Sequence, residues 1–140
     1  MLKTISEALE NFCTHQIRVP HTIDDGILDA KSFIAYIDID TTTGCTHRVY
    51  IASDTNFMQR ISKVFLEEDE SDEETLIDMT LETTNLIVGS AKVIAEELDE
   101  NTYTIQTPHF LKTDIFDFDY DQAQHVNIEN DKLMVAIKEI

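Results

Sequence analysis

Asp78, Glu82 and Asn85 stand four and then three residues apart within LIDMTLETTNLIVGSAKVIAEEL, a run whose apolar residues recur with a helical period. At about 100° per residue the three fall within a sector roughly 60° wide, so two acids and a carboxamide project from one helix face. Glu82 can accept a charge-assisted hydrogen bond from a lysine. Asn85 can orient a water, because its amide both donates and accepts. Neither is an obvious nucleophile. Asp78 suits local polar geometry or the rim of an interface. Spacing alone leaves three readings open: a solubilising helix face, a partner-binding surface, or a catalytic one.

The same run holds Gly89 and Lys92. Glycine inside a helix costs roughly 1 kcal/mol relative to alanine, so Gly89 needs a reason: a close helix crossing, clearance for a docked partner, or neither. It is not a phosphate-cradling loop. Lys92 reads either as a docking residue or as a solvated helix charge. Thr83 and Thr84 read as surface filling, helix-edge packing or direct contacts. Ile77, Leu81, Val88, Ala91 and Ala95 are expected on the core side of this helix.

Other elements must hold that helix in place. The acidic stretch EEDESDEE carries Ser71 and Glu74 in capping-box spacing, and its charges complement a helix N-terminus, so the spacing predicts a helix over about 72–98. Before it, Ser53 or Asp54 can cap a helix on which Phe57, Ile61, Val64 and Phe65 form an apolar stripe to about residue 66. Residues 4–15 open with Thr4 and Glu7 in capping-box spacing, with Ile5, Ala8, Leu9 and Phe12 on one face. RVPHTIDDG reads as a connection. In SFIAYIDI, Phe33, Ala35, Ile37 and Ile39 alternate as the buried side of a strand; TTTGCT turns the chain, and HRVYIA returns antiparallel. NTYTIQT, DIFDFDY and HVNIENDKLMVAIKEI are strand-like, with a hairpin turn expected at Asn130 and Asp131. The tail MVAIKEI suits a central strand or an exposed edge. Together these elements predict one α+β domain over residues 1–140, a largely antiparallel sheet packed against long helices.

The chain has 140 residues, 42% of them hydrophobic, with 10 Lys and Arg against 28 Asp and Glu and a net charge of −18. The apolar fraction supports a core, and the charge would repel a phosphate backbone, so nucleic acid is not an expected partner. The sequence lacks a signal-peptide pattern and any apolar run long enough to span a membrane, which points to the cytoplasm and away from membrane insertion. Cys13 and Cys45 are isolated, and the five histidines form no metal-ligand spacing.

The pattern DxxxExxN in Asp78-Met79-Thr80-Leu81-Glu82-Thr83-Thr84-Asn85, followed by LIVGSAK, resembles the signature helix of the CheC/CheX family of chemotaxis phosphatases. The preceding helix and HVNIENDKLMVAIKEI extend the resemblance over most of the chain, more weakly at residues 16–30 and 99–125. A single ExxN favours the CheX type over the two-helix CheC type. Where the family commonly continues NMIAGNAK, this chain has Val88 and Ser90 in NLIVGSAK. The resemblance implies dephosphorylation of a phosphorylated CheY-like response regulator. Glu82 would then contact the regulator's lysine and Asn85 would position the attacking water, with Asp78, Gly89 and Lys92 in supporting or partner-binding places. It implies no intrinsic cofactor, since Mg2+ resides on the regulator, and it implies a homodimer joined through sheet elements. The competing reading is a non-catalytic regulator binder or flagellar-switch-like adaptor on the same fold.

Overall fold

A computed structural model describes residues 2–26, 28–98 and 103–140. The chain opens with helix α1 (Leu2–Asn11), which widens into a π-helical turn over Phe12–Ile17. Arg18 closes that turn in the left-handed region, at φ 63°, and donates its N–H to the Cys13 carbonyl. Short β1 (Thr22–Asp24) precedes the long hairpin of β2 (Lys31–Thr41) and β3 (Thr46–Ser53), then α2 (Thr55–Leu66) and α3 (Glu73–Glu97). The described remainder is all strand and connection: β4 (Tyr103–Ile105), β5 (His109–Ile115), β6 (Gln122–Ile128) and β7 (Asp131–Glu139).

These strands form one antiparallel sheet in the order β1-β6-β7-β3-β2-β4, with β5 pairing the other end of β2. Gly44, at φ 92°, supplies the left-handed backbone that the β2–β3 turn requires. Phe33, Ala35, Ile37 and Ile39 all point to one face and are all buried, as their alternation predicts. Ile34, on the opposite side of β2, is buried too, because the sheet is covered on both faces. On one face α1, α2 and α3 bury Leu9, Phe57, Ile61 and Ile87 against Ile37, Ile51 and Val135. On the other, the segment after β5 crosses beneath the sheet. There Phe116 and Phe118 pack on Tyr50, at 5.3 and 5.1 Å between ring centroids. Each fully buried large side chain contributes about 1.5–3 kcal/mol, so this two-sided core is the main support of the fold.

Several expectations need correction. Thr4 does not begin the first helix: it is the third residue of α1 and is buried. RVPHTIDDG contains β1, an edge strand too short to read by alternation. DIFDFDY leaves the sheet after Ile115, because its aromatics are used as a cover for the second core rather than as a strand face. The last hairpin turns at Glu129 and Asn130, one residue earlier than expected, with Ile128 opposite Asp131 and Glu129 at φ 56°. Of the α2 stripe, Phe57 and Ile61 enter the core, but Val64 and Phe65 remain substantially exposed. Phe65 instead lies over Phe12 at 6.1 Å, on the rim between α1 and α3. The tail is a central strand, since β7 runs between β6 and β3.

Candidate functional site

The position of α3 is set at its first turn. Asp72, rather than Ser71, is the N-cap: its carboxylate accepts the Thr75 N–H at 2.9 Å, and this bond holds its pKa below the ordinary carboxylate value. Ser71 is engaged differently. Its N–H donates to Gln59 Oε1 at 2.9 Å and its carbonyl accepts from Gln59 Nε2 at 2.8 Å, so α2 grips the residue before the cap. Glu73 and Glu74 follow in the first turn, where the helix dipole favours negative charge.

Further along, the buried side of α3 carries small side chains among its larger ones. Thr80 and Thr84 are fully buried, and each hydroxyl donates to the carbonyl four residues back, Leu76 and Thr80 respectively, at 2.8 Å. Thr83 is also fully buried. The helix-edge expectation for Thr83 and Thr84 therefore gives way to a core role. Both side chains are small enough for the packed side, and Thr84 closes its own hydrogen bond within the helix, whereas the Thr83 hydroxyl is buried without a partner among the described residues. Val88, Ala91 and Ala95 join them as expected, whereas Ile77 and Leu81 are only half-buried and Leu76, Met79, Ile87 and Ile94 complete the buried side.

Opposite this packed side, Asp78, Glu82 and Asn85 are exposed together on the outer ridge. Helical rise separates the Glu82 and Asn85 positions by about 4.5 Å along the axis. Among the described residues none of the three makes a side-chain hydrogen bond within the chain, so a charged acceptor and an amide stand ready for an external partner. Their backbone is fixed on three counts: the cap, the Gln59 grip and the buried threonines.

Gly89 lies on the same ridge one turn beyond Asn85, and a Cβ built there would meet nothing within 4 Å. No close helix crossing explains this glycine. Lys92 lies two turns beyond Asn85 and lines a side cleft with Asp40, Thr41, Thr42, Glu96, Tyr103 and Thr104. The ridge also holds two residues that the sequence reading passed over, Leu86 and Val93, which are 37% and 51% exposed. Their spacing from Gly89, three before and four after, was a legible signal that these apolar residues share its face. Beside Leu86 an open groove of about 250 Å³ runs between α1, the π turn and α3, lined by Asn11, His15, Phe65 and Ser90 among others. Among the described residues no three His, Cys, Asp or Glu side chains gather as a metal site. No described helix is long and apolar enough to cross a membrane.

The fold, an antiparallel sheet carrying one long helix, is that of a chemotaxis phosphatase domain. The chain belongs to the chemotaxis phosphatase CheX family, whose model matches residues 35–129, more than half of its length. No curated protein sequence matches the chain. Among solved structures it is similar to chemotaxis protein CheX from Vibrio vulnificus, at 16% identity and a TM-score of 0.80, over 99% of this chain and 98% of that one. It is similar to a Borrelia burgdorferi protein solved as a CheX-CheY-BeF3-Mg2+ complex, at 15% identity and TM-score 0.71, over 99% and 96% of the two chains. The FliM middle domain from Vibrio alginolyticus is more distant, at 8% identity and TM-score 0.56, over 99% and 92%. At these identities the likeness is one of fold.

Proposed function

We propose that this chain dephosphorylates the phospho-aspartate of a CheY-like response regulator, with Glu82 contacting the regulator's lysine and Asn85 orienting the attacking water. The observation that carries this reading is the joint outward presentation of Glu82 and Asn85, both unengaged, on a helix whose buried side is fixed. Phosphoryl transfer asks chiefly for alignment and charge stabilisation, which a rigid acid and amide on adjacent turns supply. Water oxygen bonds to phosphorus as the acyl P–O bond breaks. The regulator's aspartate leaves as carboxylate, and both protons of the water depart with inorganic phosphate, which shares them with solvent. Mg2+ belongs to the phosphorylated substrate, where it neutralises charge that the acidic ridge would otherwise repel; this chain binds no cofactor of its own. Asp78 rims the contact, and Gly89 and Lys92 flank it.

The reaction belongs in the cytoplasm, where such regulators act. A homodimer fits the same reading: β5 pairs only β2 among the described strands, and Leu111 and Ile115 are exposed along it. A second reading, a non-catalytic regulator binder, draws on the FliM-like fold. Phosphate release from a purified phosphorylated CheY-like regulator in Mg2+ separates the two. Catalytic amounts of this chain should speed release well above the regulator's own decay; saturable binding with unchanged decay would replace the phosphatase with the adaptor.

A further inference from the structure

At Gly89 on α3 helix propensity is given up with no close contact inside the molecule in return. It stands well within a 25-residue helix, and the space above its Cα is open to 4 Å. A structural glycine in a helix normally faces a close neighbour that a side chain would strike. Gly89 faces none, so the reason for the missing Cβ lies outside the chain. Its place on the ridge says where. Asn85 is one turn before it, about 6 Å along the axis. Leu86 and Val93, apolar side chains that are 37% and 51% exposed, lie on either side of Gly89 on this ridge.

Resting on the reading of Glu82 and Asn85 above, we infer that the notch left by Gly89 is the seat of the regulator's main chain. A backbone segment beside the regulator's acid pocket lies directly over Gly89, and its apolar side chains cover Leu86 and Val93. The geometry leaves little choice of occupant. Glu82 must reach the regulator's lysine and Asn85 its phosphoryl group, while a typical interface spans about 800 Å² per partner. Any docking that seats Asn85 in the acid pocket therefore carries the next turn of α3 against the pocket's rim. At van der Waals distance, a side chain on residue 89 would hold α3 off that rim and withdraw Asn85 from the water it orients. Gly89 is on this account a specificity-determining residue: it sets how closely the helix can approach.

Gly89→Ala and Gly89→Leu test this, because the two roles of the residue predict opposite signs. Alanine and leucine are better helix formers, so both variants should melt higher than the wild type, by about 3 °C. Both should nevertheless bind the beryllofluoride- and Mg2+-loaded regulator more weakly, by about tenfold for alanine and further for leucine. KM for the phosphorylated regulator should rise in the same order. Wild-type binding in both variants would overturn the notch, as would a lower melting temperature in Gly89→Ala, which would show that the fold itself needs the glycine. Binding of the loaded regulator requires no turnover. A wild type that binds but does not hydrolyse would therefore sink the phosphatase reading alone.

Discussion

Gln59 and Ser71 hold each other by two reciprocal hydrogen bonds, side-chain amide to backbone amide, at 2.8 and 2.9 Å. The pair spans the acidic connection from α2 to α3 and fixes the chain immediately before the Asp72 cap. A backbone group at nearly buried Ser71 thus finds its partner in a side chain rather than in water.

Removing the grip should loosen the start of the site helix. Gln59→Ala leaves both backbone groups of Ser71 without that partner, and at about 1 kcal/mol per bond the loss is about 2 kcal/mol in urea unfolding. Amide exchange at residues 71–76 should accelerate with it. Unchanged stability and exchange would show that water replaces the amide at no penalty.

The Asp72 cap gives a pH signature. Its folded pKa lies below the ordinary 3.8, chiefly because the carboxylate accepts the Thr75 N–H. The ionised form therefore stabilises the fold above the unfolded value, and this contribution fades as pH falls through the lower folded value. Melting curves of the wild type and Asp72→Asn should be separated at neutral pH and converge below about pH 4. A gap that is constant across this range would remove the charge from the account.

How much of this was legible in sequence depends on where the signal sat. Phe33 to Ile39, the cap of α2, which is Asp54 accepting the Phe57 N–H at 2.7 Å, and the shared face of the DxxxExxN run were readable because each follows a local period or spacing. The core role of Thr83 and Thr84 was not, since a threonine buried on a helix, whether bonded to it like Thr84 or unpaired like Thr83, looks in sequence like any polar surface residue. Phe116 and Phe118 misled for a related reason: alternation with acids fits a strand, but it equally fits a strap that lays its rings on a sheet. Val64 and Phe65 kept the helical period beyond the end of the core, where periodicity carries no information about cover. Spacing places Glu82 and Asn85 on one exposed face, while the roles proposed for them rest on the family resemblance; Leu86 and Val93 were missed because apolar residues on a helix are expected to face inward.

Thr83 supplies a stability test with the opposite sign from the Gln59 grip. Its Oγ1 is buried without a hydrogen-bond partner among the described residues. Thr83→Val keeps the shape and removes the unpaired hydroxyl, and should stabilise the fold by about 1–2 kcal/mol in urea. Destabilisation would reveal a buried water bonded there.

The two cysteines should differ in reactivity. Cys13 is fully buried, and its thiol is pushed up to about 12, first by burial and then by the charge of Glu10. Cys45 is half-buried in the β2–β3 turn. At pH 8 an aromatic disulfide reagent should titrate one thiol in the native protein and the second only after denaturation. Two fast thiols would contradict the burial of Cys13 in the π-helical turn.

The central claim is a division of labour on one helix, docking by Glu82 and water orientation by Asn85, and the most direct measurement compares hydrolysis and binding in Asn85→Ala. Phosphate release from the phosphorylated regulator should fall by about 100-fold, since a misplaced reacting group loses about that factor. Affinity for the beryllofluoride- and Mg2+-loaded regulator should stay within a few-fold of wild type. Retained hydrolysis, or a loss of hydrolysis fully matched by a loss of binding, would contradict the account.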